Sequence, residues 1–129
     1  MAGRLYISGT PNPAAPIVIV LHGDALFVNP GYQYAFASNL SDKVPGTRIV
    51  ALLRPGYADP YGAKSDGDRG FARGENYTPD VLNDVAAAIH SLKSQWQAAA
   101  VIPIGHSGGA TIAADIVALN PGLVCSTFS

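Results

Sequence analysis

Cysteine occurs once in the 129 residues, at Cys125, so no internal disulfide framework and no cysteine-based zinc site can be built. Charge of one sign is also missing. Eight basic against nine acidic residues leave a formal net charge of −1, which excludes the electrostatic footprint of a nucleic-acid binder or of a protein held to an anionic membrane. Long hydrophobic runs are absent too: the strongest, Pro16 to Leu21, ends at His22, too short for a signal-peptide core or a bilayer span. A soluble, cytoplasmic protein is the expectation. Asp66-Gly67-Asp68 has the composition of a calcium loop but lacks the rest of the ligand pattern, so no metal site and no cofactor is expected.

What is present is apolar material in short blocks. The chain is 48% hydrophobic, enough for the core of one domain and no more. Its 14 glycines and 10 prolines punctuate those blocks and form no repetitive tract. Ile17 to Leu21, Ile49 to Leu53 and Ala100 to Ile104 are continuous and β-branched, the pattern of strands covered on both faces. Pro103, with no N–H for a ladder, counts against the third as a central strand. Leu5-Tyr6-Ile7 is a further short strand candidate.

Helical patterns separate the strands. Thr78-Pro79-Asp80 offers an N-cap, a proline at the first helical position and a negative charge on the first turn. Leu82, Val85, Ile89, Leu92 and Trp96 then lie along one stripe. Phe36, Leu40 and Val44 suggest a helix from Tyr32 to Lys43. A third helix, apolar almost all round and so expected to be the most buried, runs from Gly108 to Leu119, before Asn120-Pro121-Gly122. This alternation predicts an α/β fold of three layers: a mostly parallel sheet with helices on both faces.

The chemistry-bearing motif is Gly105-His106-Ser107-Gly108-Gly109, a G-x-S-x-G run with a strand before it and a helix after it. A sharp strand-to-helix turn presents the serine hydroxyl at the C-terminal edge of the sheet, where open α/β folds bind ligands. Glycines at 105 and 109 permit the close packing that such a turn needs. His22-Gly23-Asp24 follows the first strong strand and falls at the same edge.

In these motifs, and in Arg54-Pro55-Gly56-Tyr57 with Gly62-Ala63-Lys64-Ser65, the chain from about Ile17 to Leu123 resembles the N-terminal part of an α/β-hydrolase of the serine esterase or peptidase type. The resemblance implies that Ser107 is the nucleophile, with Gly108 N–H as one oxyanion donor. It implies Asp24 N–H as the other, Ala25 being the alternative. Gly105, His106, Gly109, His22 and Gly23 are then structural parts of the two turns, and the Asp24 carboxylate either caps its turn or touches substrate. The expected substrate is a small ester or amide; esterase, lipase, peptidase and thioesterase chemistry all stay open. A noncatalytic binding or partner module on the same fold is the alternative.

The family order along the chain is serine, then acid, then histidine. The 22 residues after Ser107 hold Asp115 and no histidine. Of the upstream histidines, His106 occupies the x position of the turn, His22 belongs to the other turn and His90 lies on a flanking helix, so none is read as the base. The expectation is a single partial domain at 1–129, inactive alone, whose last apolar strand is left as an edge open to self-association. A frameshift, early stop or cut gene model is the explanation expected for the ending Ser126-Thr127-Phe128-Ser129. The long stretch from Arg54 to Tyr77 either borders the cleft or is a solvated loop anchored by its tyrosines.

Overall fold

A computed structural model of the chain describes residues 1–24, 29–67 and 78–120. Seven elements follow one another: β1 (Gly3–Tyr6), β2 (Ile17–Leu21), α1 (Tyr32–Lys43), β3 (Ile49–Leu52), α2 (Pro79–Gln95), β4 (Val101–Gly105) and α3 (Gly108–Leu119). The strands form one sheet in the order β1-β3-β2-β4, with β1 antiparallel to β3 and the other pairs parallel. The fold is α/β, with an open and mostly parallel sheet.

The three apolar runs become the three parallel strands: both faces of β2 and β3 are buried, while β4 buries Val101 and Pro103 on one face and leaves Ile102 and Ile104 half-buried on the other. Ile17, Ile19, Leu21, Val50, Leu52 and Val101 point to the side covered by α2 and α3. Val18, Val20, Ile49 and Ala51 point to the side covered by α1. Every residue of β2 and β3 is buried. Helices therefore lie on both faces, as the sequence predicts.

Pro103 fits despite its missing N–H, and the hydrogen-bond phase gives the reason. Ile17 N–H donates to Ala100 O, and His106 N–H donates to Leu21 O. The even-numbered residues of β4 thus turn their backbone groups toward β2, and Pro103 turns its nitrogen away. No bond to β2 is lost. The proline instead removes a donor from the middle of the outward row, which blunts that edge as a template for another strand.

The second helix begins where its sequence signals it, with Thr78 as N-cap accepting from Val81 N–H at 3.4 Å and Pro79 in the first turn. It buries Val81, Leu82, Val85 and Ile89, with Leu92 and Trp96 packed partly against the same core. The first helix has the expected span but a different buried face. Tyr34, Ala37 and Ser41 face the sheet with Gln33, whereas Phe36 and Val44 are exposed. Strict i, i+4 spacing drifts round a helix of 3.6 residues per turn, and the small Ala37 and Ser41 let α1 approach the strands closely. The third helix buries Ile112, Ala113 and Ile116 but leaves Thr111, Ala114, Ala118 and Leu119 exposed, so its apolar outer face is not covered among the described residues.

A polar cluster ties β1 and α1 to the segment after β3. Tyr34 Oη donates to Asp59 Oδ2 at 2.5 Å, and Asp59 Oδ1 accepts from Tyr61 N–H at 2.8 Å and Ala63 N–H at 3.0 Å. The Arg4 guanidinium lies 4.6 and 4.7 Å from the ring centroids of Tyr34 and Tyr61. Burial alone would raise the Asp59 carboxyl, but these hydrogen bonds and the charge of Arg4 outweigh it and hold Asp59 below the ordinary carboxylate range. A carboxyl depressed in the folded state stabilises above its unfolded value of about 4, and the contribution is lost as pH falls through the folded value. Asp59→Asn should therefore lower the urea midpoint near neutral pH, and the gap to the wild type should narrow as the pH falls below about 4.

Candidate active site

The chain passes from β2 to β3 on one face of the sheet and returns from β3, past β2, to β4 on the other. The C-terminal ends of β2 and β4 therefore feed connections that leave toward opposite faces, and a crevice opens between them. At this edge His22, Gly23 and Asp24 follow β2, and His106 and Ser107 follow β4; His106 and Ser107 line the crevice.

The β4–α3 turn closes by near contact of main chains. A Cβ on Gly105 would overlap the peptide joining Gly109 to Ala110, and one on Gly109 would overlap the carbonyls of Leu21 and His22. Alanine at either site drives α3 off the sheet. Between them Ser107 sits at φ 53°, ψ −116°, as the N-cap of α3. Non-glycine residues rarely adopt this conformation, which costs about 1–3 kcal/mol. The turn is held by Gly109 N–H on His106 O at 2.9 Å and Ala110 N–H on Ser107 O at 2.9 Å. Gly108 N–H, at the helix start, has no partner among the described residues. Ser107 and His106 are exposed, and Gly108 is buried.

Gly23 brings the second turn against the first. A Cβ there would come within 3.0 Å of His106 O and 3.3 Å of Ser107 Cβ. His22 is fully buried and uses both ring nitrogens: Nε2 accepts from Arg54 N–H at 3.0 Å, so Nδ1 carries the proton and donates to Gly23 O at 2.7 Å. Its ring meets Tyr57 edge-on, with centroids 4.8 Å apart. The Arg54 guanidinium, itself buried, donates to His22 O at 3.2 Å and pairs with Asp24 Oδ1 at 3.0 Å. The Asp24 carboxylate thus holds Arg54, a role different from the turn cap or substrate contact anticipated for it. Ala25 lies outside the described residues.

None of the three histidines bonds the Ser107 hydroxyl. His22 is committed as above. His106 Nδ1 lies 3.0 Å from Tyr32 Oη, with the two rings edge-on at 5.4 Å. His90 is exposed on α2. Among the described residues Ser107 Oγ has no hydrogen-bond partner, and no group of three or more His, Cys, Asp or Glu is gathered as a metal site. No helix among these residues is long and apolar enough to cross a membrane.

Two residues that the sequence reading passed over stand at the site. Tyr32 Oη accepts from Gly23 N–H at 2.5 Å and reaches His106, which links the two turns. Gln33, next to it, is buried beside the crevice. Neither has a motif; both arrive through the packing of the first turn of α1. Of the stretch expected either to border the cleft or to be a solvated loop anchored by its tyrosines, Arg54, Tyr57, Asp59 and Ser65 are buried while Tyr61 is exposed, so its near part is a structural brace. Ser65 Oγ donates to Leu53 O at 2.5 Å and accepts from Ala2 N–H at 2.9 Å. Its far part, 68–77, lies outside the described residues.

No protein-family model matches the chain, and no curated protein matches it by sequence. Solved structures do match. An E-2-(acetamidomethylene)succinate hydrolase superposes with a TM-score of 0.62 at 22% identity, over 97% of this chain and 38% of that one. The thioesterase domain from the curacin biosynthetic pathway gives 0.62 at 21%, over 91% and 36%. Esterase PE8 gives 0.61 at 22%, over 89% and 56%. The chain has the α/β-hydrolase fold, and spans from about a third to just over half of the length of these structures.

The strain at Ser107 is testable without any substrate. Ser107→Gly should raise the unfolding free energy by about 1 kcal/mol, because glycine adopts φ 53° freely. Gly109→Ala should lower it by about 1–3 kcal/mol or more. Urea denaturation followed by circular dichroism reads both.

Proposed function

We propose that the chain carries the nucleophile and the oxyanion-binding turns of a serine hydrolase of carboxylic esters or amides. The observation that supports this most is the left-handed backbone of Ser107 at the β4–α3 junction, with the N–H of Gly108, unpartnered among the described residues, beside it. Ser107 Oγ attacks the acyl carbon; the Oγ–C bond forms, and the carbonyl electrons move onto oxygen. That oxyanion is met by Gly108 N–H and by Asp24 N–H, with the positive end of α3 behind them. The C–O or C–N bond to the leaving group then breaks, and the serine proton passes through a base to the departing atom. Water repeats the sequence in reverse and frees the acid.

The fixed roles of the other residues support this assignment. Arg54 ties the carboxylate of Asp24 and the carbonyl of His22, so the turn carrying the Asp24 N–H is braced from below. Tyr32 holds Gly23 from the side.

A second reading, a noncatalytic module on the same fold, is favoured by one observation: no described histidine contacts Ser107 Oγ. A serine hydroxyl is a weak nucleophile without a base. The 129-residue chain should therefore turn over p-nitrophenyl acetate barely at all, on the order of a millionfold below a complete triad enzyme. Prolonged incubation with that activated ester should still leave one acetyl group on Ser107, seen by intact mass and peptide mapping and absent from Ser107→Ala. Acetylation scattered over lysines, with Ser107 unmodified, is the outcome of the noncatalytic reading.

A further inference from the structure

A cavity of about 490 Å3 opens beside Ser107 on the α1 side of the sheet. Val20, Ile104 and Phe36 give it a largely apolar wall, and Ser107 itself is part of its lining. Phe36 is 46% exposed, an arrangement unexplained by packing onto the sheet but suited to walling a cavity open to solvent.

Of the polar side chains in the lining, which also include Tyr32 and His106, Gln33 is the buried one. Gln33 is fully buried, and its Nε2 donates to Pro30 O at 2.9 Å, which settles which end of the amide is nitrogen. Its Oε1 is buried with no hydrogen-bond partner among the described residues. Buried amide oxygens are almost always paired, and one left alone carries a penalty that an incoming donor removes.

We propose that this cavity receives the acyl chain of the substrate, and that the preferred chain is apolar with one hydrogen-bond donor, a hydroxyl or an amide N–H, directed at Gln33 Oε1. The inference rests on the reading of Ser107 as the nucleophile. The acyl carbon then lies at Ser107, and the chain runs from it between Val20, Ile104 and Phe36. Each methylene that enters leaves water for an apolar wall, while the donor restores the missing bond of Gln33. Hydroxyacyl or N-acylated acyl groups have this chemistry; short acetyl groups and charged chains do not.

Alkylboronic acids test both parts, since boron accepts the Ser107 oxygen as the Oγ–B bond forms and the hydroxyl proton passes to solvent. Dissociation constants for methyl to octyl boronic acids are measured by calorimetry on the full chain and on Ser107→Ala, beside the ω-hydroxyalkyl member of each length. The wild type should tighten about three- to four-fold per methylene until the cavity is full. Ser107→Ala should bind more weakly at every length but keep the slope. At one length the hydroxyl should gain about five-fold over the plain chain of equal heavy-atom count, and in Gln33→Met the two should converge. Binding in the wild type with no dependence on length overturns the cavity assignment and leaves Ser107 as nucleophile. Identical length-dependent binding by wild type and Ser107→Ala overturns the nucleophile reading and, with it, the acyl assignment. A hydroxyl that never helps in the wild type removes Gln33 from the proposal, whether or not Gln33→Met folds.

Discussion

Gly109 lays its Cα against the carbonyls of Leu21 and His22, and Gly105 lies against the peptide between Gly109 and Ala110. At these two points α3 meets the ends of β2 and β4 at a distance that no side chain permits. That approach obliges the chain to reverse over two residues, which forces Ser107 to φ 53°. It also brings the turn after β2 into contact with the turn after β4, so a Cβ on Gly23 would sit tightly at 3.0 Å from His106 O. The cost of the strained serine is met by the packing of Ile112, Ala113 and Ile116 onto the sheet.

A second constraint supports the first from below. His22 and Arg54 stand at the ends of neighbouring parallel strands, and Arg54 donates to His22 twice, from its main-chain N–H to Nε2 and from its guanidinium to the carbonyl, with Tyr57 against the imidazole and Asp24 against the guanidinium. A buried cation and a buried imidazole are costly unless each is paired. Here the pairing leaves His22 in a single tautomer and the Gly23 carbonyl fixed by its Nδ1 proton. The same buried network that satisfies these groups orients the turn proposed to bind an oxyanion, so stability and the proposed function would rest on the same residues.

Much of this was legible in the sequence because it depends on local rules. Continuous β-branched runs read as covered strands, Thr78-Pro79 reads as a helix start, and glycines at 105 and 109 around a serine read as a tight strand-to-helix turn. What escaped is what depends on position in three dimensions. Phe36, Leu40 and Val44 make a plausible stripe, yet only Leu40 of the three packs against the core, and α1 turns Tyr34, Ala37 and Ser41 to the sheet because small residues allow closer packing. Pro103 reads as an objection to a central strand until the ladder phase shows its nitrogen facing away from β2. Tyr32 and Gln33 carry no motif, and no local pattern assigns Tyr32 to the Gly23 amide or Gln33 to a cavity wall. Asp24 was legible as a turn residue but not as the partner of Arg54, thirty residues on.

The central claim is that geometry makes Ser107 the reactive position of this chain, before any base is added. A fluorophosphonate probe, which requires an accessible serine beside hydrogen-bond donors, addresses it most directly. With the full chain folded, the account predicts a single slow adduct mapped to the peptide containing Ser107, lost in Ser107→Ala and abolished by unfolding in urea. No adduct, or one that survives Ser107→Ala, would contradict it.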